Sequence, residues 1–542
     1  MRRLALLLVA VGLLAPQADA ARYAVGVRAR ADLPVLRAAL PDGESLAPIP
    51  ALVVERATAP RLGDLPGATY VERLGSRRTT YVPNDTLAAR QWHLDFNRTY
   101  DFWEAPTPLP AVRVAVIDSG IDGDHPDFAG KIADAKSFVG GSARTDEEGH
   151  GTFVAGLIAA GVNNSIGIAG AASSAELLVA KVVDGNDLID VEAEVKAIRW
   201  AVQHDARVIN MSLGGFRDPY DPDRDAFSPL EAQAVGWAHG QGVVVVAAVG
   251  NNTDMPPRPW PFASYPAALP HVLGVSALAR DGSVPVFSHR DKIYNDIAAP
   301  GIGILSTFPR PLTGQVKECA EQGYSSCAPD DFRKGQGTSF AAPQVSAAAA
   351  ALFAVRQNLR PEQVTELLTR TAHDVNGATG CPNCATQRDP LSGWGRLDVN
   401  AALKQLLSAG PPPRDRLEPN DDAGTAAAPL WGMRSRVDAT LDFWDDQNDV
   451  YAIRLKRGQR VFMSLRGPAF TDTNLILWQP EARHVDDLAS FGLVAKQAAR
   501  PGPREFLAYR ARRLGTYYVQ VKLGSRGSGR YKLTIVKNSL GG

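Results

Sequence analysis

Ser339 stands in the stretch Gly337-Thr338-Ser339-Phe340-Ala341-Ala342-Pro343, at the mouth of an alanine-rich run that reads as a helix. A serine hydroxyl is a weak nucleophile at neutral pH; to attack a carbonyl it needs an adjacent base for its proton and donors for the oxyanion that forms. Two upstream residues have the required types. Asp118 follows Val112-Arg113-Val114-Ala115-Val116-Ile117, a run that reads as a short buried strand. Its carboxylate therefore falls at a strand's carboxyl end, where open α/β sheets keep their chemistry. His150 lies between Gly149 and Gly151, follows the acidic Glu148, and opens a helical run over 153–160. Each residue also has a plainer role, the aspartate as a turn cap and the histidine as a structural residue at a helix start. In the order Asp118, His150, Ser339 they form a relay in which the carboxylate orients the imidazole, the imidazole moves the proton and the serine carries the acyl group. The free N–H groups at the start of the Ser339 helix favour negative charge beside that oxygen.

Further motifs occur in the same order: Asn210-Met211-Ser212-Leu213-Gly214-Gly215, Tyr265-Pro266-Ala267, Ala298-Ala299-Pro300-Gly301 and Gly393-Trp394-Gly395-Arg396-Leu397-Asp398. With Asp118-Ser119-Gly120, His150-Gly151-Thr152 and Gly337-Thr338-Ser339, they make the chain from about Asn84 to Leu403 resemble the subtilisin-like serine proteases. The resemblance implies an α/β fold with a mostly parallel sheet flanked by helices, and a serine endopeptidase working through an acyl-enzyme. It places Asn251, after the strand-like Gly242–Ala248, as the side-chain donor to the oxyanion beside the Ser339 N–H. Asn252 is its neighbouring rival, and a plain turn residue the alternative. Losing such a donor costs subtilisin on the order of 10²–10³ in turnover.

The same resemblance implies that Ser212, Leu213 and Gly214 form an edge that pairs with an extended peptide, so the substrate is a polypeptide. Asn186 to Ile189 would form the opposite rim; here Asp187-Leu188-Ile189 is bulkier and more charged than the small residues many relatives carry. Leu213, Gly214, Ala248, Val249 and Gly250 would wall the primary pocket, with Ser264 near its base. No carboxylate stands at those positions, which points to uncharged side chains. The Pro-rich, aromatic run from Met255 to Phe262 departs from the family's compact loop. Val162-Asn163-Asn164-Ser165-Ile166-Gly167-Ile168 resembles the family's calcium loop, which implies a structural Ca²⁺ held by Asp127, Val162, Asn164, Ile166 and Ile168. An all-oxygen set suits Ca²⁺ and suits Zn²⁺ badly; an Asn-rich turn without metal is the alternative. The family's N-terminal ligand has no clear counterpart among Leu87 to Gln91.

At 542 residues and 45% hydrophobic composition the chain is long enough for several cores. Residues 1–20 read as a secretory signal: Arg2-Arg3, an apolar run from Leu4 to Leu14 too short to span a bilayer, then Ala18-Asp19-Ala20 as a cleavage site. Residues 21–82 resemble the family's inhibitory propeptide, a small α+β unit with strand-like Tyr23–Val27, Ala51–Glu55 and Gly67–Glu72. A merely structural N-terminal domain is the alternative, and self-cleavage would fall between Arg77 and Asn84. The catalytic domain spans 83–407 and a Pro-rich linker 408–428. Residues 429–542 alternate in the manner of an antiparallel sandwich, with strands at Val450–Leu455, Val461–Leu465, Tyr517–Val521 and Tyr531–Ile535. Glu418-Pro419-Asn420-Asp421-Asp422 and Asp449-Val450-Tyr451 resemble the jelly-roll-like domain appended to many secreted peptidases.

Four cysteines fit an exported chain, with Cys319–Cys327 and Cys381–Cys384 as the local pairings among three connectivities. A four-thiolate zinc site is the rival, and Cys381-Pro382-Asn383-Cys384 lacks a thioredoxin-like context. Lys plus Arg and Asp plus Glu number 58 each, so net charge points to neither nucleic acid nor an acidic membrane surface. The expectation is a secreted, monomeric endopeptidase made as a self-inhibited precursor. Its substrates are proteins or peptides and its own propeptide is its inhibitor, with no nucleic-acid partner and no membrane span. The rivals are a processing protease of narrow specificity and a surface-binding protein whose function lies in the C-terminal domain.

Overall fold

The computed structural model describes residues 21–56, 58–74, 81–102, 109–186, 188–252, 259–313, 324–325, 331–411, 417, 420–442, 447–469, 471–485, 492–524 and 528–538. The signal segment, Asp187, Cys319 and Cys327 lie outside them. The chain divides into two units, Met1–Thr79 and Thr80–Gly542. In the first, β1 (Ala21–Val27), α1 (Leu33–Ala39), β2 (Glu44–Ser45), β3 (Ala51–Arg56) and β4 (Ala68–Arg73) form an antiparallel sheet of order β2-β3-β1-β4 with one helix. Leu36 of α1 is fully buried among Val25, Leu52 and Val54, which gives this small sheet its core.

The second unit begins with α2 (Trp92–Phe96) and is built on seven strands: β5 (Val112–Asp118), β6 (Ile132–Ser137), β7 (Ala175–Lys181), β8 (Ala206–Met211), β9 (Val244–Ala248), β10 (Val272–Leu278) and β11 (Ile297–Pro300). They pair in the order β11-β10-β9-β8-β5-β7-β6, every pair parallel. The near-continuous apolar runs of these strands follow from burial on both faces. Val112, Val114 and Val116 of β5 face one core, whereas Ala115 and Ile117 face the other. The first core is covered by α3 (His150–Ala159), α6 (Thr338–Val355), α7 (Pro361–Arg370) and α8 (Val399–Ser408); the second by α4 (Val191–Gln203) and α5 (Pro229–Gly240). A three-stranded sheet, β12 (Ile304–Thr307), β13 (Tyr324–Ser325) and β14 (Phe332–Gly335), precedes α6. By length and composition α6 would suit a membrane, but it is a core helix: Phe340, Val345 and Leu352 are all buried beneath the sheet.

The C-terminal region is all-β. A sheet of order β15-β17-β22-β19-β20 combines β15 (Ala428–Leu430), β17 (Asn448–Leu455), β22 (Gly515–Leu523), β19 (Thr473–Trp478) and β20 (Val494–Ala498). Its partner, of order β16-β23-β18-β21, combines β16 (Arg434–Asp442), β23 (Ser528–Lys537), β18 (Arg460–Arg466) and β21 (Arg504–Arg510). Pairing is antiparallel except between β15 and β17, and Ile453, Met463, Val519 and Ile535 fill the core between the sheets. The sequence words Asn420 and Asp449-Val450-Tyr451 meet here. Asp449 is fully buried and accepts from the Asn420 amide and the Tyr531 hydroxyl, and the Val450 N–H donates to the Asn420 carbonyl at 2.6 Å.

Candidate active site

The chain leaves β5 for β7 and β6 on one side and for β8 on the other, so the carboxyl end of β5 is the sheet's switch point, the usual place for a ligand crevice. Asp118 occupies it, 2% exposed. Its Oδ1 takes the Nδ1–H of His150 at 2.8 Å and the Ser119 N–H at 2.8 Å, while Oδ2 is buried with no partner among the described residues. With Nδ1 committed to the carboxylate, Nε2 is the basic nitrogen. Burial is the largest influence on His150 and by itself lowers its pKa; the charge and hydrogen bond of Asp118, with Glu148 and Asp146, outweigh it and raise the imidazole from 6.5 to about 9.

A dense turn holds His150 in place. Its follower Gly151 has no room for a side chain, because a Cβ would lie 2.2 Å from the Gly120 carbonyl oxygen and 3.2 Å from Asp118 Oδ1. The anchor is Asp146, 6% exposed, which the sequence did not single out. Its Oδ1 accepts from Ser119 Oγ at 2.8 Å, Gly149 N at 2.8 Å and Glu148 N at 3.2 Å, and its Oδ2 from Thr152 N at 2.8 Å and Thr152 Oγ1 at 2.6 Å. The Ser119 hydroxyl in turn accepts the Gly151 N–H at 2.9 Å. One carboxylate thus caps the first turn of α3 and ties it to the end of β5, a favourable place for negative charge.

Ser339 is the second residue of α6, reached through Gly337, whose φ of 151° is open to glycine but rarely to other residues. The His150 ring lies 5.5 Å, centroid to centroid, from Phe340, the residue after Ser339, and Phe340 rests on Phe153 of α3 at 4.2 Å. Thr338 donates its N–H to Asn251 Oδ1 at 2.9 Å and its hydroxyl to the same oxygen at 3.1 Å; Phe340 N–H goes to Gly337 O at 3.1 Å. The Ser339 N–H is left without a partner among the described residues. Because the Asn251 oxygen is taken, its Nδ2 is the end left for a ligand. Asn252 is used otherwise: its oxygen accepts the Trp260 N–H at 3.1 Å and its nitrogen donates to Val286 O at 3.3 Å.

Pro343 explains a second feature. Lacking an N–H, it cannot bond the carbonyl of Ser339 four residues back. The Ser212 hydroxyl donates to that carbonyl instead, at 2.8 Å. Ser212 Oγ accepts from Asn210 Nδ2 at 3.0 Å, and Asn210 Oδ1 accepts from Ser346 Oγ at 2.8 Å. The residue after β8 is therefore wired to the helix that carries Ser339.

A cavity of about 290 Å³ opens beside Ser339, lined by Ser212, Leu213, Gly214, Ala248, Gly250, Asn251 and Ser264 from the expected set, and by Phe216, His289 and Thr338, which were not anticipated. Its walls are stitched by paired bonds of 2.9 Å between Gly215 and Tyr265. Val249 differs: its side chain packs in the second core, and only its carbonyl serves the wall, accepting the Ser264 N–H at 2.8 Å. Gly214 is exposed, and its backbone N–H and C=O take no partner among the described residues, as an edge open to an added strand requires. On the other rim Leu188 is 64% exposed.

Four of the five expected cation ligands, Val162, Asn164, Ile166 and Ile168, share one loop, and Asp127 reaches it from the separate turn Pro126–Phe128. Asp127, fully buried, accepts from Asn164 Nδ2 at 2.8 Å and Ile168 N at 3.1 Å, and Asn164 Oδ1 accepts from Ile166 N at 2.7 Å. The carbonyls of Val162, Ile166 and Ile168 accept no hydrogen bond among the described residues, and burial pushes the Asp127 carboxyl up to about 6. Unpaired carbonyls beside a buried carboxylate suit a hard cation; the Asn164 amide must turn to present its oxygen. No group of three or more His, Cys, Asp or Glu that could hold a metal occurs among the described residues, and a carbonyl-rich site does not need one. The N-terminal side is closed by Asp85, which accepts from Asn163 N at 2.9 Å and Asn164 N at 3.2 Å. Cys381 and Cys384 are joined in a disulfide.

A bonded Asp–His pair at the switch point of a parallel α/β sheet, next to a serine that opens a core helix, is the arrangement of a serine hydrolase. The Subtilase family (Peptidase S8) matches residues 110–395, over half of the chain. The chain is 31% identical over 362 residues to fervidolysin of Fervidobacterium pennivorans, covering 63% of this chain and 48% of that protein. It is 31% identical over 299 residues to thermitase of Thermoactinomyces vulgaris, covering 55% and 94%. A solved protease structure from Pseudoalteromonas arctica is 25% identical, with a TM-score of 0.48, over 60% of this chain and 99% of the other. This chain belongs to the subtilase family of serine endopeptidases, hydrolases that act on peptide bonds.

Proposed function

We propose that the chain is the precursor of a secreted endopeptidase that cleaves proteins through Asp118, His150 and Ser339. The observation that carries this is the 2.8 Å bond from His150 Nδ1 to Asp118 Oδ1, which leaves Nε2 as the base. An extended substrate pairs with the open edge at Gly214 and places its scissile carbonyl at Ser339. His150 takes the Ser339 proton as the oxygen attacks, and the oxyanion is held by the Ser339 N–H and Asn251 Nδ2. The imidazolium then gives its proton to the leaving amine, and water releases the acyl group by the same route. The all-β C-terminal region and the N-terminal α+β unit are accessory, the latter acting as inhibitor until it is cut away. A Ca²⁺ ion on Asp127, Asn164 and the Val162, Ile166 and Ile168 carbonyls would steady the fold.

The test is to express the full chain and its Ser339→Ala form and follow self-cleavage and casein hydrolysis. The alanine form should lose on the order of 10⁶ in turnover, as subtilisin does without its serine. Equal activity in the two forms would refute the proposal.

A further inference from the structure

Ser264 and His289 line the same cavity as Ser339, and their chemistry is more specific than a polar lining. His289 is 2% exposed. Its Nδ1 lies 3.3 Å from Ser264 Oγ, and its Nε2 is buried with no hydrogen-bond partner among the described residues. Leaving such an atom unpaired carries a desolvation penalty that apolar packing at this position would avoid. Gly250 keeps the space for the pair. A Cβ there would lie 2.4 Å from Ser264 Oγ and 2.6 Å from His289 Nδ1, so any side chain at 250 would displace both.

Burial is the main cause that holds the His289 imidazole down to about 4, so it is neutral under working conditions. A neutral imidazole has one donor and one acceptor. When Nδ1 accepts the Ser264 proton, Ser264 Oγ has lone pairs for a donor on the substrate. When Nδ1–H donates to Ser264 Oγ, the hydroxyl proton is free for an acceptor. The pair therefore meets either kind of neutral tip. No carboxylate lines the cavity, so a cationic side chain finds no counter-charge, and an anionic one would have to force a proton onto a buried ring.

We infer that Ser264, positioned by His289, makes the enzyme select an uncharged side chain with a hydrogen-bonding tip, glutamine or tyrosine, immediately before the scissile bond, over an apolar side chain of the same shape. This rests on the endopeptidase function proposed above and specifies its substrate class. The test uses the processed full-length protein and peptides identical except at that position, in the pairs Tyr/Phe and Gln/Met, with Glu and Lys as charged members. One neutral hydrogen bond corresponds to about fivefold in kcat/KM, so each polar-to-apolar ratio should be about five or more, and should fall towards one in Ser264→Ala while Ser264→Thr retains it. Cleavage with both ratios near one overturns the inference and leaves the endopeptidase intact, as does a ratio that Ser264→Ala does not change. Preference for Glu over Gln overturns it in favour of an ion-pairing pocket. Failure to cleave any peptide or casein overturns the endopeptidase proposal, and this inference with it.

Discussion

Replacing Asp146 by asparagine keeps the size of the side chain but turns one acceptor oxygen into a donor. Whichever oxygen is lost faces at least two donors: Thr152 N and Oγ1 on one side, or Ser119 Oγ, Gly149 N and Glu148 N on the other. The amide adopts the orientation that sacrifices fewer bonds, the one facing Thr152. Two bonds to a charged acceptor, at about 1.5–3 kcal/mol each, and the favourable charge at the start of α3 are lost together. We expect a loss of about 3 kcal/mol in unfolding free energy, read by denaturant titration of the Ser339→Ala background to avoid self-digestion. His150 opens the helix that this carboxylate caps, so its ring should drift from Asp118 and from Ser339. Misplacement on the order of 1 Å costs about 10²-fold in rate, and it should appear in kcat with KM nearly unchanged. Asp146 is also one of the charges that raise the His150 pKa, so the midpoint of the pH–rate profile should move down. A stable Asp146→Asn protein with wild-type kcat and an unmoved midpoint would refute this role for Asp146; lost stability with an unmoved midpoint would reduce it to a helix cap.

The wild-type profile has a definite sign. Protonated His150 cannot accept the Ser339 proton, so kcat/KM should rise with pH through a midpoint near 9. The imidazolium, raised above its ordinary 6.5, stabilises the fold fully below about 6.5, and this contribution is lost as pH passes about 9; thermal unfolding of Ser339→Ala across this window should therefore fall as activity climbs. Ser212→Ala should leave the half-buried Ser339 carbonyl unsatisfied and destabilise by about 1 kcal/mol; adding Pro343→Ala restores an N–H to that carbonyl and should recover part of the loss in a double-mutant cycle. Chelator should lower the melting temperature, and Asp127→Asn should abolish the difference between calcium and chelator.

The sequence made strand ends and helix starts legible because a buried parallel strand is a short apolar run with a functional residue at its carboxyl end. β5 and β9 lie where their runs predict, one residue longer and two residues shorter than read. The sandwich strands are visible by alternation at β17, β18, β22 and β23, but β16 is obscured by Arg434 and Arg436 on its outer face, and β21 by an inverted pattern in which Glu505 is buried and Phe506 exposed. Asp146 stands in the acidic run Asp146-Glu147-Glu148, and nothing local tells which of three carboxylates turns inward. His289 meets Ser264 across 25 residues, a pairing only the tertiary fold creates. The neighbours of Val249 line the pocket wall, yet period-two alternation sends its own side chain to the opposite face.

The hydroxyl that substitutes for the missing Pro343 N–H has a consequence for redesign. Ser212 belongs at once to the edge proposed for the substrate and to the backbone that carries Ser339, so tuning affinity there should change turnover as well. Ser264 hangs from the opposite wall and makes no hydrogen bond to α6 among the described residues, so the pocket floor should be the separable control. On the proposed function, selectivity should respond to changes at the floor and turnover to changes at the edge.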